Sequence, residues 1–395
     1  MFYILFIFFL SLIKIIYSEN ILYGQIYNVL LRAELNLLIG NPLQSMFIPI
    51  NQSLPYTVIG KDKFDLAFSL SSKKKRETKL IINKEYNVVE YSDEINFSSL
   101  DNISMTIYDY YFYLTARYNN TPALNPVFGL GYQFENENFS IVHQLKKQMF
   151  IDKLIFTIDL ETNLLDNKGK IYFGGTPSEL ITRKNRAICK VSDSYTSWGC
   201  QLKKMIITHN NQSQNIPIYQ YAHFQNCQSA LILPQYLMEQ IMETFFFRDI
   251  IQKGLCKFIV NASWNYIACS KEVIDNDYDS KTSIKFDFDG YIFSLNLIQL
   301  FYCNNATCSS NFYSIPLQFG DQLIFGSTFL NQYIVEYNYE NKSISFYSDY
   351  IFPHEIEHNN NVLFSLIIII ILLLFISSII NVYLIKAKPL FIWNL

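Results

Sequence analysis

Two short polar segments, each preceded by an apolar run, carry the side chains of this sequence best suited to form a reactive centre. Residues 51–53 read NQS after the run MFIPI, and residues 225–227 read QNC between AHF and the run ALILP. A polar turn between two β-forming runs predicts a loop that presents side chains at the end of a strand. Amide side chains do not ionise in the working pH range and have no lone pair basic enough to take a proton. The amides of the two segments therefore supply neither a general acid nor a general base.

Two further patterns suggest chemistry more weakly. Residues 354–358 read HEIEH, which matches the HExxH pattern of zinc metalloproteases. The pattern lies in an acidic, Asn-rich stretch without a third ligand just downstream, so we expect no metal. His223 and Cys227 could suggest a thiol nucleophile, but on an extended strand their Cα atoms would lie about 13 Å apart. We expect a partly buried thiol instead, unless the turn folds back.

The composition favours a β protein of about two domains. Half of the 395 residues are hydrophobic, with 29 Tyr and 33 Phe, and this supplies material for the cores of about two domains. The formal net charge is −3 and the basic residues are scattered, which excludes a nucleic-acid-binding face. We expect no cofactor.

The two ends of the chain predict a membrane topology. Residues 1–18 form a short apolar stretch, broken by Lys14 and ending at Ser18, which is typical of a cleaved secretory signal. An uncleaved anchor is the alternative. Residues 362–385 are long and apolar enough to span a bilayer as a helix, and Lys386 and Lys388 follow them. This predicts a type I protein with a stalk at residues 351–361 and a cytoplasmic tail at residues 386–395.

The cysteines and the glycosylation sequons agree with that compartment. All seven Cys lie between Cys189 and Cys308, so disulfides would stabilise only the second half and leave at least one thiol over. The candidate glycosylation sites are Asn96, Asn102, Asn119, Asn138, Asn211, Asn261, Asn305 and Asn341. Asn51 also begins a sequon, but we expect no glycan there.

Alternating and wholly apolar runs bounded by Gly, Asn, Asp and Ser predict β-strands throughout. Residues 140–151 and residues 234–251 have apolar side chains at helical spacing, and each predicts one short helix. No low-complexity linker divides the chain, so two lobes would pack directly on each other.

Motifs between residues 34 and 347 together resemble those of the pepsin-like aspartic proteases. In the first lobe they are the turn Ile39-Gly40-x-Pro42-x-Gln44, the hydrophobic-hydrophobic-Gly segment Val127-Phe128-Gly129, and the helix, strand and Gly-Gly turn of residues 139–175. In the second lobe, residues 223–234 resemble the second catalytic loop, and residues 323–348 resemble the second hydrophobic-hydrophobic-Gly segment and the final strands. The resemblance implies an all-β, bilobal fold, with lobes at residues 19–180 and 181–350.

The resemblance fails at the two positions that carry the family's chemistry. Asn51 and Gln225 stand where the family has its catalytic Asp residues. Ser53 and Cys227 stand where the family has Gly, so both loops must be remodelled. Each loop of the family has a Thr that cross-links it to the other loop. Gln52 and Asn226 replace these two residues, and we expect their amides to form a different bridge.

The resemblance also suggests roles for other residues. Tyr91 would be the tyrosine of the hairpin that covers the cleft, and Tyr91, Ser53 and Cys227 are candidates for contact with a peptide. Cys269 with Cys303 or Cys308 would correspond to the family's second-lobe disulfide.

Two functions remain open. The first is a catalytically inactive, monomeric, membrane-anchored relative of these proteases that binds an extended peptide or protein. The alternative is an active aspartic endopeptidase with a non-standard catalytic site, which family membership alone would imply. A carboxylate from another segment beside Asn51 and Gln225 would favour the enzyme.

Overall fold

The computed structural model describes residues 21–29, 32–82, 84–99, 102–115, 125–132, 139–160, 168–182, 184–192, 194, 197–261, 264–276, 282–304, 306–315, 321–349 and 351–353. The chain divides into two compact units, residues 1–351 and residues 352–395. Apart from residues 352 and 353, all described residues lie in the first unit.

Strands dominate the described part of the chain, as predicted. In the first half they are β1 (Leu22–Val29), β2 (Arg32–Ile39), β3 (Gln44–Asn51), β4 (Val58–Gly60), β5 (Lys73–Ile82), β6 (Lys84–Ser99), β7 (Ser104–Thr115), β8 (Phe128–Gly129), β9 (Ile155–Asp159), β10 (Lys168–Phe173) and β11 (Asn185–Lys190). In the second half they are β12 (Gly199–His209), β13 (Gln212–Phe224), β14 (Leu231–Pro234), β15 (Cys256–Val260), β16 (Asn265–Ser270), β17 (Thr282–Phe288), β18 (Tyr291–Asn296), β19 (Phe301–Cys303), β20 (Thr307–Ser310), β21 (Phe312–Ile315), β22 (Leu323–Phe325), β23 (Ile334–Asn338), β24 (Ser343–Ser348) and β25 (Ile351–Pro353).

The helices of the described residues are short. They are α1 (Ile141–Lys147), α2 (Ser178–Ile181), α3 (Gln235–Met242), α4 (Phe245–Gln252), α5 (Lys271–Asn276), α6 (Ser327–Leu330) and a 3-10 helix (Leu297–Leu300). The first predicted helix is confirmed as α1. The second predicted helix is wrong in one respect, because it is divided into α3 and α4 at Thr244. Buried Thr244 has extended backbone angles, and its Oγ1 donates to the carbonyl of Ile241 at 2.6 Å, which ends α3.

The strands form two large sheets. One 13-stranded sheet contains β1 to β11 together with β23 and β24, and one 12-stranded sheet contains the other described strands. Pairing of β23 with β9, Val335 opposite Ile158, brings β23 and β24 of the second half into the first sheet. The alternation in β3, where Met46, Ile48 and Ile50 are buried and Phe47 is exposed, shows how one strand face forms the core.

In each half, one strand that leads into a polar loop pairs in parallel with a short strand from later in the chain. β3 lies parallel to β8, with Asn51 opposite Gly129. β13 lies parallel to β22, with Phe224 opposite Phe325. Because parallel strands need a long connection between them, each pairing fixes the loop that follows β3 or β13 against a segment distant in sequence.

An aromatic cluster joins the two halves beneath these loops. Trp198 is fully buried, and its ring centroid lies 5.2 Å from that of Tyr337 and 4.8 Å from that of Tyr339. Its Nε1 donates to the carbonyl of Leu130 at 2.7 Å, and the hydroxyl of Tyr339 donates to the same carbonyl at 3.2 Å. The segment after β8 is therefore anchored to residues of the second half.

The disulfides lie between Cys189 and Cys308, as predicted, but the predicted pairing of Cys269 with Cys303 or Cys308 is wrong. The bridges join Cys189 to Cys200, Cys256 to Cys269 and Cys303 to Cys308. Cys269 is directly opposite Cys256 on one side and Cys308 on the other. Cys269 is bridged to Cys256, and Cys308 is bridged to Cys303. Each bridge joins facing cysteines that are close in sequence, because a short loop costs less entropy to close than the longer loop between Cys269 and Cys308. Cys227 is in no disulfide.

Candidate functional site

The first loop turns back on the amide of Asn51. Its side-chain Oδ1 accepts hydrogen bonds from the backbone N–H groups of Ser53 at 2.7 Å and Leu54 at 3.2 Å. The carbonyl of Asn51 accepts from the N–H of Leu130 at 2.8 Å. An amide oxygen has two lone pairs, so these two bonds use the full accepting capacity of Oδ1. The Asn51 side chain therefore shapes its own loop, in the manner of an Asx turn.

The second loop is held by backbone bonds. The N–H of Gln225 donates to the carbonyl of Phe325 at 3.1 Å, and the N–H of Gln228 donates to the carbonyl of Gln225 at 3.2 Å. The Sγ of Cys227 lies 4.0 Å from Oε1 of Gln225, at the outer limit of a thiol hydrogen bond. Gln225 and Cys227 are half-buried, as are Asn51 and Ser53, so the tips of both loops reach solvent.

A buried amide bridge joins the two loops, as the sequence predicts. Gln52 is fully buried and Asn226 is 1% exposed. Oε1 of Gln52 accepts from the backbone N–H of Asn226 at 2.8 Å, and Nε2 of Gln52 donates to Oδ1 of Asn226. The carbonyl of Asn226 accepts from the hydroxyl of Ser327 at 3.1 Å. Among the described residues, Nδ2 of Asn226 has no hydrogen-bond partner.

Two glycines let neighbouring backbone segments come close to the loops. A Cβ on Gly129 would lie 2.1 Å from the carbonyl oxygen of Tyr56. A Cβ on Gly326 would lie 2.3 Å from the carbonyl oxygen of Ala230 and 2.5 Å from that of Gln228. Both glycines belong to the hydrophobic-hydrophobic-Gly segments found in the sequence, and the close approach explains why no other residue fits.

The amide groups of the two loops contact no carboxylate in the described part of the chain. The hydrogen bonds of Asn51, Gln52, Gln225 and Asn226 involve backbone groups, other amides, a serine hydroxyl and a thiol. Nor does any group of three or more His, Cys, Asp or Glu within the described ranges have an arrangement that could hold a metal ion. The described loops therefore contain neither an acid pair nor a group of side chains that could hold a metal in its place.

Tyr91 does not lie where the sequence predicts. β5 ends at Ile82 and β6 begins at Lys84, whereas Tyr91 lies well inside β6, opposite Lys74. Its ring stacks on Phe112, with centroids 6.2 Å apart, and packs against the core. The resemblance places Tyr91 in the hairpin that covers the cleft, but regular pairing of β6 with β5 and β7 puts Tyr91 in the interior of a strand. Tyr91 is a packing residue of the first lobe.

A serine–histidine pair lies just before the second loop and was missed from the sequence. The Oγ of Ser197 and Nδ1 of His223 are 2.5 Å apart. Burial lowers the pKa of His223, because desolvation disfavours the charged ring. Ser197 is buried, so its hydroxyl is not presented to a substrate. No sequence motif links the two residues, which come together only because Gly199 lies opposite His223 in the β12–β13 ladder.

A cavity of about 310 Å³ opens directly after the second loop, and no sequence pattern indicates it. Its lining includes Gln228, Ser229, Asn261, Trp264, Tyr266 and Tyr313, and we call it the aromatic cavity. Ring centroids of Trp264 and Tyr266 each lie 6.1 Å from that of Tyr313. The cavity brings the end of the loop together with strands β16 and β21, which are far from it in sequence.

The candidate glycosylation sites differ in exposure. Asn102, Asn211, Asn261 and Asn341 are exposed, and Asn96 is half-buried in β6. Asn119, Asn138 and Asn305 lie outside the described residues, as do the HEIEH motif, the signal at residues 1–18 and the apolar segment at residues 362–385. Within the described ranges, no helix is long and apolar enough to cross a membrane.

Comparisons with known proteins agree on one fold. The family model described as eukaryotic aspartyl protease matches residues 64–348. The crystal structure of Basic 7S globulin from soybean superposes with a TM-score of 0.66 at 12% identity, covering 84% of this chain and 95% of that chain. The aspartic proteinase from Irpex lacteus superposes with a TM-score of 0.63 at 14% identity, covering 83% of this chain and 97% of that chain. No curated protein matches the chain. The expected bilobal pepsin-like architecture is thereby confirmed.

Proposed function

Since the chain belongs to the eukaryotic aspartyl protease family, we propose that it is a catalytically inactive member that binds an extended peptide or protein segment. The observation that carries the proposal is the pair of amides, Asn51 and Gln225, at the heads of the two equivalent loops. Both positions correspond by resemblance to the catalytic Asp residues of the family.

The chemistry of the family supports inactivity. Two close carboxylates share one proton, so that one acts as general base toward water and the other as general acid toward the peptide carbonyl. Each such role contributes about 10²- to 10⁴-fold to a rate. The Asn51 amide is neutral and its oxygen is already used by two backbone donors, so it cannot take a proton from water.

The peptide-binding part of the proposal is supported by the half-buried loop tips and by the buried bridge beneath them. The Gln52–Asn226 bridge keeps the two loops together without a catalytic pair. A groove between two β lobes suits an extended peptide, whose backbone pairs in the manner of a strand while pockets contact alternate side chains. Binding of this kind requires neither a metal nor an ionisable dyad.

The ends of the chain complete the proposal. We propose that residues 1–18 are a cleaved signal and that residues 362–385 anchor the protein as a type I membrane protein with its β unit luminal or extracellular. The protein would act as a monomer on a membrane of the secretory pathway or the cell surface. Resistance of the full chain to alkaline extraction from membranes, together with a C-terminal epitope accessible only from the cytoplasm, tests this topology.

The thiol of Cys227 allows a direct test of peptide binding. It is half-buried in the second loop, and the other six cysteines are in disulfides. The full-length protein, purified in detergent, is incubated with a diverse peptide library before and after reaction with a bulky maleimide. A Cys227→Ser variant, treated in the same way, is the matched control, because it keeps the loop but has no thiol to modify.

The proposal predicts that untreated protein retains a subset of peptides, that modification of Cys227 abolishes the retention, and that the Cys227→Ser variant retains the peptides after the same treatment. Retention that survives modification would move the binding surface away from the loops. Failure of the untreated protein to retain any peptide would contradict the binding proposal.

A further inference from the structure

The residues that line the aromatic cavity suit a neutral ligand with a ring that is apolar on one side and polar on another. Three aromatic side chains, Trp264, Tyr266 and Tyr313, form one part of the lining, and the amides of Gln228 and Asn261 form another. No Asp, Glu, Lys or Arg is among the described residues that line it. A charged ligand would therefore find no ion-pair partner there.

The size and the mixed polarity of the cavity narrow the class of ligand. Its volume of about 310 Å³ is at the small end of the range of about 300–1,000 Å³ for ligand pockets, which suits one ring-sized group. Aromatic faces offer an apolar surface, and amide groups both donate and accept hydrogen bonds. A pyranose sugar presents both features, an apolar C–H face and a rim of hydroxyl groups.

A sugar attachment point belongs to the cavity wall itself. Asn261 begins the sequon Asn-Ala-Ser at residues 261–263, and it is exposed. Its Oδ1 accepts a hydrogen bond from the backbone N–H of Trp264 at 2.6 Å, which ties the acceptor residue to the most exposed ring of the cavity. Trp264 is 42% exposed, so one edge of its ring remains open to solvent.

We propose that Asn261 is glycosylated and that the first sugar of this glycan occupies the aromatic cavity, with its apolar face against Trp264. The inference rests on the proposed entry of the chain into the secretory pathway. The glycan would border the second loop, because Gln228 belongs both to the cavity and to the turn that follows Gln225.

Protection of the glycan from an amidase tests the proposal. The full-length protein is produced in eukaryotic cells, and release of each glycan by an enzyme that cleaves the sugar–asparagine bond is followed by glycopeptide mass spectrometry on the folded protein. Asn341 is the internal control, because it is an exposed sequon in the turn after β23. Release at Asn261 is expected to be at least about ten-fold slower than at Asn341, since the sugar must first leave the cavity. Denaturation should make the two rates equal.

Variants of Trp264 distinguish a sugar held in the cavity from a glycan that the enzyme reaches slowly for another reason. Trp264→Ala should raise the release rate at Asn261 to that at Asn341 without changing the latter, and Trp264→Phe, which keeps a ring, should preserve most of the protection. Equal release rates in the wild-type protein, or an Asn261 that carries no glycan while Asn341 does, would overturn the proposal. If, in addition, Trp264→Ala weakened peptide retention, the cavity would belong to the peptide groove. Absence of glycan at every sequon would instead refute the secretory topology on which the inference rests.

Discussion

The side chains of Gln52 and Asn226 are hydrogen-bonded to each other in the buried space where the two loops meet. Gln52 accepts a hydrogen bond from the backbone N–H of Asn226 and donates one to its side-chain oxygen. A single side chain after β3 of the first sheet thus satisfies two polar groups after β13 of the second sheet. The two loops thus remain cross-linked although neither carries a carboxylate at its head. The groups that form the cross-link are amides, which cannot act as a general acid or a general base.

Removal of the bridge should destabilise the fold. Gln52→Ala leaves a buried N–H and a buried amide oxygen of Asn226 without partners, and we expect a loss of about 2–4 kcal/mol in the free energy of unfolding. Ser53→Ala is the matched control. Its hydroxyl is buried without a hydrogen-bond partner among the described residues, so its removal should cost less than about 0.5 kcal/mol. Urea unfolding of both variants measures the difference, and equal effects would contradict a structural role for the bridge.

Gly326 should be irreplaceable because of the backbone beside it. A Cβ there meets two carbonyl oxygens, at 2.3 and 2.5 Å, and backbone atoms cannot move aside cheaply. We expect Gly326→Ala to cost about 3 kcal/mol of stability. A Cβ on Gly24 meets only side-chain atoms, of Leu35 at 2.8 Å and of Ile171 and Phe97 at 3.3 Å, and these can shift, so Gly24→Ala should cost less than Gly326→Ala. A smaller loss for Gly326→Ala than for Gly24→Ala in the same unfolding assay would refute this explanation.

His223 should make stability depend on pH on the acid side. Its pKa is lowered in the folded state by burial, so between that pKa and about 6.5 the unfolded chain binds more protons than the folded one. Stability from the neutral ring is therefore complete above about pH 6.5 and is lost as the pH falls through the lower range, with a slope of at most about 1.4 kcal/mol per pH unit. His223→Gln should flatten this part of the profile between pH 5 and 8. Identical profiles for the two proteins would show that His223 does not titrate on unfolding.

The disulfide pattern should be visible in a peptide map without reduction. The map should contain Cys256 linked to Cys269 and Cys303 linked to Cys308, with Cys227 alkylated. The double substitution Cys256→Ala and Cys269→Ala should cost about 3 kcal/mol, as expected for a short closed loop. Cys227→Ser should change stability by less than about 0.5 kcal/mol. A linked peptide that contains Cys269 and Cys308 would contradict the pairing.

The sequence predicted the local motifs of the fold well because each depends on few neighbouring residues. The turn at Gly40 and Pro42, the segment ending at Gly129 and the helix at α1 follow from glycine, proline and apolar spacing. The amide bridge could also be predicted, because the resemblance identified both of its residues as replacements for cross-linking side chains.

Features that depend on strand register could not be predicted. The resemblance places Tyr91 in the hairpin that covers the cleft, whereas its position inside β6, opposite Lys74, depends on a strand pairing that no local pattern indicates. Cys269 has possible partners on both neighbouring strands, and only the register with Cys256 and Cys308 shows the choice. The aromatic cavity combines a loop with two strands distant in sequence, so no local pattern could indicate it.

The most direct test of inactivity is hydrolysis of a diverse peptide library by the purified full-length protein from pH 3 to 7, with and without a transition-state-mimicking inhibitor of aspartic proteases. With Asn51 and Gln225 at the loop heads, we predict no inhibitor-sensitive cleavage at any pH in this range. Cleavage that the inhibitor abolishes would contradict the account, because it would require a working acid pair within the fold.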